Sequence, residues 1–169
     1  MRGQDQPPAP LADASAFRFA VVVSRFNEAI TGSLRDAAVA ALKQAGAAEA
    51  NVHLFAVSGA FEIPQAARAA AETGRFDAVV CLGCIIRGET PHFEYIASAV
   101  AHGITAAAGE TGVPMAFGVL TTDTTEQAAA RSGPGPDNKG REAAAAAIEM
   151  AALSKSLAGG SNLPFGFRA

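Results

Sequence analysis

The chain has 169 residues and a mass of 17.0 kDa, half of it hydrophobic and only 17% charged. That length suits one domain burying roughly 70% of the surface its unfolded form exposes, which excludes disorder for most of it and any need for a disulfide or metal to hold a core. A net charge of -3 and a pI near 5.6 give no electrostatic footprint for nucleic acid or an anionic membrane.

Residues 1–16 carry Pro7, Pro8 and Pro10 without hydrophobic period and predict an extended or disordered arm; the folded domain is expected over 17–157, with a tail at 158–169. FRFAVVVS (17–24) reads as a strand. The helix after it places Ile30, Leu34, Ala38 and Leu42 on one face and stops at Gly46. The unit recurs: strand 51–58 leads into a helix closed by Gly74, and strand 77–86 leads into a helix over 91–112. Residues 114–122 form a fourth strand, followed by helices at 125–131 and 138–156 separated by the breaker-rich SGPGPD. Strands that alternate with helices and are apolar along their length argue for an α/β fold with a parallel sheet covered on both faces.

The longest apolar stretch, Ala78–Ile86, is about half a membrane span, and MRGQDQPPAP lacks the apolar core of a leader, so a soluble cytoplasmic protein is expected. Cys81 and Cys84 have C-x-x-C spacing but lie inside that run, with no second Cys or His pair for zinc, and read as buried structural residues. His53, at a strand start, and His102, mid-helix, lack comparable polar company and read as structural.

In a parallel sheet ligands bind beyond the carboxyl ends of the strands. After the first strand stands Phe26, able to stack on a planar ligand or to cap the core. After the second comes Gly59-Ala60-Phe61-Glu62, whose free amides can bind a ligand while Glu62 either joins them or merely complements the helix dipole. After the third, Arg87-Gly88-Glu89-Thr90-Pro91-His92-Phe93-Glu94-Tyr95 is the densest polar cluster: amides around Glu89 and Thr90 make a plausible phosphate cradle, although neither G-x-x-x-x-G-K-[ST] nor G-x-G-x-x-G is present. His92 falls in the first helical turn, as a proton carrier near neutral pH or a structural side chain. After the fourth strand, Arg131 and Lys139 are candidate cations for an anionic substrate or simply solvated charges. Together these suggest a phosphorylated, partly planar ligand.

The ordered set SRFN (24–27), GAFEIP (59–64), LGCIIRGETPHFEY (82–95), FGVLTT (117–122), EQAAAR (126–131) and NKGREAAAAAIEM (138–150) resembles the lumazine synthase family over 17–157. The resemblance implies a three-layer α/β/α sandwich with a four-stranded parallel sheet, flavodoxin-like. It also implies a transferase that condenses 5-amino-6-(D-ribitylamino)uracil with 3,4-dihydroxy-2-butanone 4-phosphate, releasing phosphate and water, without metal or organic cofactor. In family terms Phe26 stacks on the pyrimidine, Ala60, Phe61 and Glu62 bind the ribityl chain and nearby polar atoms, and Cys84, Ile85 and Ile86 meet the uracil through backbone groups. Glu89 and Thr90 hold the butanone phosphate together with Arg131. His92 is the proton donor and shuttle, and Lys139 adds electrostatic support. Phe117 and Arg131 come from the neighbouring subunit of a homopentamer, which in some members builds shells of about 60 subunits. Association with riboflavin synthase is a further expectation.

Two positions depart from the family pattern. Ser58 stands where Pro is usual, and Gly133-Pro134-Gly135-Pro136-Asp137 replaces the Gly-Thr-Lys-Ala-Gly-like turn of shell-forming members, so the pentamer is expected and the shell is left open. A catalytically silent flavin- or lumazine-binding protein and a chiefly shell-forming protein are the alternatives; the retained His92, Arg131 and Lys139 argue against a pure binder. Alanine occupies 41 positions, so small residues must do much of the packing, and apolar surface hidden between copies is expected.

Overall fold

The computed structural model describes residues 10–159. Its elements run β1 (Phe19–Ser24), α1 (Glu28–Gln44), β2 (Val52–Val57), α2 (Ile63–Glu72), β3 (Ala78–Ile86), α3 (His92–Thr111), β4 (Met115–Thr122), α4 (Thr125–Ser132) and α5 (Lys139–Gly159). Every strand and helix read from the sequence is present. The differences lie at element ends, where short-range hydrogen bonding decides. A 3-10 turn, Glu49–Asn51, delays β2 by one residue, and a second, Ala60–Glu62, introduces α2. Pro91 caps α3 from outside rather than opening it. Helix α5 runs to Gly159, so residues 158 and 159 of the expected tail are helical, while 160–169 lie outside the described residues.

Residues 1–9 of the expected arm also lie outside the described residues. Residues 10–16 carry no strand or helix, yet they are not detached. The Ala14 amide donates to the Ala45 carbonyl at 2.8 Å, Ala14 is fully buried, and Leu11 and Ala12 pack beside it.

The four strands are all parallel in the order β2-β1-β3-β4. Because successive strand residues face opposite sides, β1 is buried throughout, as a sheet covered on both faces requires. Phe19, Val21 and Val23 face a layer built from α1, α4 and α5, together with Val80 and Leu82. Ala20 and Val22 face α2 and α3, together with Val79 and Cys81. The result is a three-layer α/β/α sandwich of flavodoxin-like type. Gly46 (φ +97°) and Gly74 (φ +66°) take left-handed backbone just beyond α1 and α2, which is why those helices end where the glycines predict.

Much of the small-residue content is spent inside the chain. Ala143, Ala144 and Ala147 of α5 are buried against the sheet and α1, and Asn138 is buried ahead of them. The Asn138 amide donates to the carbonyls of Ser132 (2.8 Å) and Gly133 (3.0 Å), and its Oδ1 accepts from Gly140 N at 2.8 Å. One side chain thus ties the glycine-proline turn to the start of α5. At Gly140 an added Cβ would stand 2.0 Å from the Leu34 carbonyl oxygen, backbone that cannot move aside. Gly→Ala inside an open helix normally stabilises by about 0.5–1 kcal/mol. Here the sign inverts: Gly140→Ala should cost about 3 kcal/mol, read as a lowered urea midpoint. A midpoint at or above that of the parent protein would show that α1 and α5 are not packed this closely.

Candidate active site

The strand order reverses between β1 and β3, since β1 continues to β2 on one side and β3 to β4 on the other. At such a switch point the loops leaving two adjacent strands diverge and open a crevice beyond their carboxyl ends. A cleft of about 340 Å³ occupies that position. Phe26 from the turn after β1, Ala60 and Phe61 from the turn after β2, and residues 84–86 at the end of β3 line it. Thr90 and His92 close its far side, with Phe93 and Ile96 from the first turns of α3.

Local structure explains how each side chain arrives there. Asn27 has φ +60°, a left-handed conformation that asparagine tolerates better than most residues, and this turns the chain sharply from β1 into α1. Its side-chain amide is not spent on capping α1 and donates instead to the Cys84 carbonyl at 3.1 Å, bracing the end of β3. Phe26 is left 69% exposed on the outside of this turn, so it caps no core. Glu62 does more than complement a dipole. Its Oε2 accepts from Gly59 N at 3.0 Å, so one of the amides expected to be free is already occupied, and the turn presenting Ala60 and Phe61 is locked. Glu62 itself does not line the cleft.

After β3, Gly88 and Thr90 reach the cleft while the exposed Glu89 does not line it. His92 is exposed at the first position of α3. Arg87 stands beside this loop in contact with Asp123, Glu94 and Phe93.

Three expected site residues lie apart from the cleft within one chain. Arg131 ends α4, whose Ala128 is buried in the layer shared with α1 and α5, on the sheet face opposite α2 and α3. Its guanidinium donates to the Gln127 carbonyl at 2.9 Å. Lys139 opens α5 and pairs with Glu142 at 2.5 Å. Phe117 projects from the edge strand β4, 48% exposed.

His53 bonds the Ala50 carbonyl at 3.0 Å and meets Phe76 edge to face, and His102 bonds the Ser98 carbonyl at 2.8 Å, as structural histidines do. Among the described residues no cluster of three or more His, Cys, Asp or Glu is placed to hold a metal ion, and no helix is long and apolar enough to cross a membrane. Cys81 and Cys84 face opposite sides of β3 and cannot bridge. Burial pushes the Cys81 thiol up to about 12 and the Cys84 thiol up to about 11. Both are therefore neutral at pH 8, and neither should be alkylated by iodoacetamide until the protein unfolds, as mass spectrometry would record. Rapid labelling of Cys84 in the folded protein would contradict this packing.

The sequence pattern leaves Asn27, Arg87 and Phe93 without a role and does not reach Ile96. The signal for Ile96 was available: it follows His92 by four and Phe93 by three positions on the same helix start. Asn27 and Arg87 act through contacts with chain 36 to 57 residues away, which no local pattern reports.

A protein-family model described as 6,7-dimethyl-8-ribityllumazine synthase matches residues 16–155, a span that includes every residue of the cleft. The chain belongs to this lumazine synthase family. It is 49% identical over 144 residues to the 6,7-dimethyl-8-ribityllumazine synthase of Syntrophus aciditrophicus (strain SB), an alignment covering 85% of this chain and 94% of that protein. As a family member it is a transferase of riboflavin biosynthesis. The cleft of this lumazine synthase family member offers aromatic faces, strand-end backbone, a histidine and a glycine-containing loop.

Proposed function

We propose that the β1/β3 cleft is where this lumazine synthase joins 5-amino-6-(D-ribitylamino)uracil to 3,4-dihydroxy-2-butanone 4-phosphate, and that a second copy of the chain completes it. The observation that carries this reading is the division of parts. Phe26, Ala60, Phe61, residues 84–86, Thr90 and His92 share one cleft, whereas Arg131 sits on the other face of the sheet and Phe117 on its outer edge. Among the described residues no lysine or arginine lines this cleft, and a site that binds a phosphate calls for a cation from elsewhere. A ring in which each chain offers Arg131 and Phe117 to its neighbour's cleft meets that need, and the homopentamer is the assembly we infer. A cytoplasmic location suits substrates carrying a phosphate or a polyol chain, which do not cross a membrane unaided.

Each group then has a task. Phe26 stacks on the pyrimidine, and the Phe61 turn, locked by Glu62, receives the ribityl chain. The backbone of residues 84–86, steadied by Asn27, meets the uracil edge. The ring amine attacks the ketone to form an imine with loss of one water, phosphate leaves, and ring closure expels the second water. These steps all move protons, and His92, which lines the cleft, is the group assigned to carry them. Amides of the 88–91 loop, with Thr90 and a neighbour's Arg131, hold the departing phosphate as its charge grows. Lys139 supports that charge once its pairing with Glu142 loosens. Holding both substrates in one cleft supplies much of the acceleration.

Phe26→Ala tests the stacking assignment. Base–aromatic stacking is worth about 1–3 kcal/mol, so KM for the pyrimidine should rise about tenfold while KM for the phosphorylated ketone stays within twofold. Equal rises in both would mean that Phe26 shapes the cleft rather than stacking.

A further inference from the structure

We infer that Arg87 is a positioning residue for the lumazine synthase reaction, clamping residues 88–91 into a fixed loop at the phosphate end of the cleft. The inference rests on the proposed reading that this loop receives the phosphate.

Five residues, 87–91, join the end of β3 to the start of α3, and the first of them grips both sides of the loop. On the strand side, the Arg87 backbone amide donates to the Thr122 carbonyl at 2.9 Å, and its Nε donates to the Asp123 carboxylate at 2.7 Å. On the helix side, a terminal guanidinium nitrogen donates to the Glu94 carboxylate, and the guanidinium carbon lies 4.3 Å from the centre of the Phe93 ring. Phe93 and Glu94 immediately follow His92, so the same grip sets the rotation of the helix start that carries the imidazole. Packing does not hold the loop in place: a Cβ added at Gly88 would meet nothing within 4 Å, and Glu89, Thr90 and Pro91 are exposed.

Electrostatics separates positioning from direct binding. Two carboxylates surround one guanidinium, so the cluster carries a net charge of -1 and does not attract an anion. Its planar fork suits two partners at once while its face rests on an aromatic ring, which an ammonium cannot reproduce.

The experiment is a steady-state comparison of Arg87→Gln, Arg87→Lys, Glu94→Gln and Thr90→Ala, with KM measured separately for each substrate and the thermal midpoint recorded for each variant. Arg87→Gln should raise KM for the phosphorylated ketone about tenfold and lower kcat, because a loop misplaced by about 1 Å loses both the phosphate and the imidazole geometry, while KM for the pyrimidine stays within twofold. Arg87→Lys should recover less than half of the loss. Glu94→Gln leaves the cation in place but frees it, and should move the same KM upward. That variant changes an exposed side chain by one atom, so it carries the test even if Arg87→Gln proves too unstable to assay. A lowered KM for the phosphorylated ketone in Glu94→Gln would make Arg87 a phosphate ligand and overturn the positioning role. An unchanged KM in Arg87→Gln and Glu94→Gln beside a raised one in Thr90→Ala would overturn it while leaving the phosphate at the loop. An unchanged KM in all variants, Thr90→Ala included, would overturn the placement of the phosphate itself.

Discussion

Replacing His92 with alanine should lower kcat by about 10²-fold, the low end of what a positioned acid–base group contributes, with KM for either substrate changed only a few-fold. The reason lies in where the side chain stands. The imidazole lines the cleft and is exposed, on the first residue of α3, while Phe26 and the side chains of the 88–91 loop are groups that the substitution leaves in place. Binding should therefore survive the loss of proton transfer. Steady-state kinetics following the fluorescent product give both parameters. A turnover equal to that of the parent protein would remove the proton-shuttle role. A KM rise with kcat intact would make His92 a binding group instead.

Mixing two inactive variants should restore activity. His92→Ala lacks the imidazole and Arg131→Ala lacks the cation, so each alone should be poorly active. In rings refolded from an equal mixture, about one interface in four would join an intact His92 on one chain to an intact Arg131 on its neighbour, as head-to-tail assembly of equivalent subunits requires. About a quarter of the parent activity is the expected plateau. The geometry behind it is the placement of α4: Ala128 is packed in the α1/α5 layer, so Arg131 is carried away from the α2/α3 side, where the cleft and His92 lie. No recovery in verified mixed rings would mean that each site is completed within a single chain.

Most of the architecture was legible in the amino-acid pattern. FRFAVVVS, the Ile30-Leu34-Ala38-Leu42 face and the glycines beyond each helix predict alternating strands and helices, because strand burial, helical periodicity and left-handed glycine turns are all local properties. The strand-end segments were legible for the same reason: in a parallel sheet, loops at the carboxyl ends share one edge. Less legible was what a side chain does on arrival. Glu62 reads as a dipole complement or a ligand, and its carboxylate also braces Gly59 through a hydrogen bond that depends on the 3-10 turn preceding α2. Gly140 carries no such signal in the sequence, and only the fold shows it as the point where α5 touches the Leu34 backbone.

The high alanine content required close packing, and by itself it could not say between which surfaces. In the folded chain the run at 143–147 sends Ala143, Ala144 and Ala147 into its own core, while Phe26, Phe61 and Phe117 remain exposed. Composition and local pattern determined a parallel α/β sandwich and the loops where chemistry would gather. Only the tertiary structure decided that the cleft lies between β1 and β3, that Asn27 and Arg87 brace it, and that the helix carrying Arg131 packs on the opposite face of the sheet from α2 and α3. The physical reason is that strand order and the sheet face a helix covers are set by packing between segments far apart in the chain, and no short stretch of sequence encodes them.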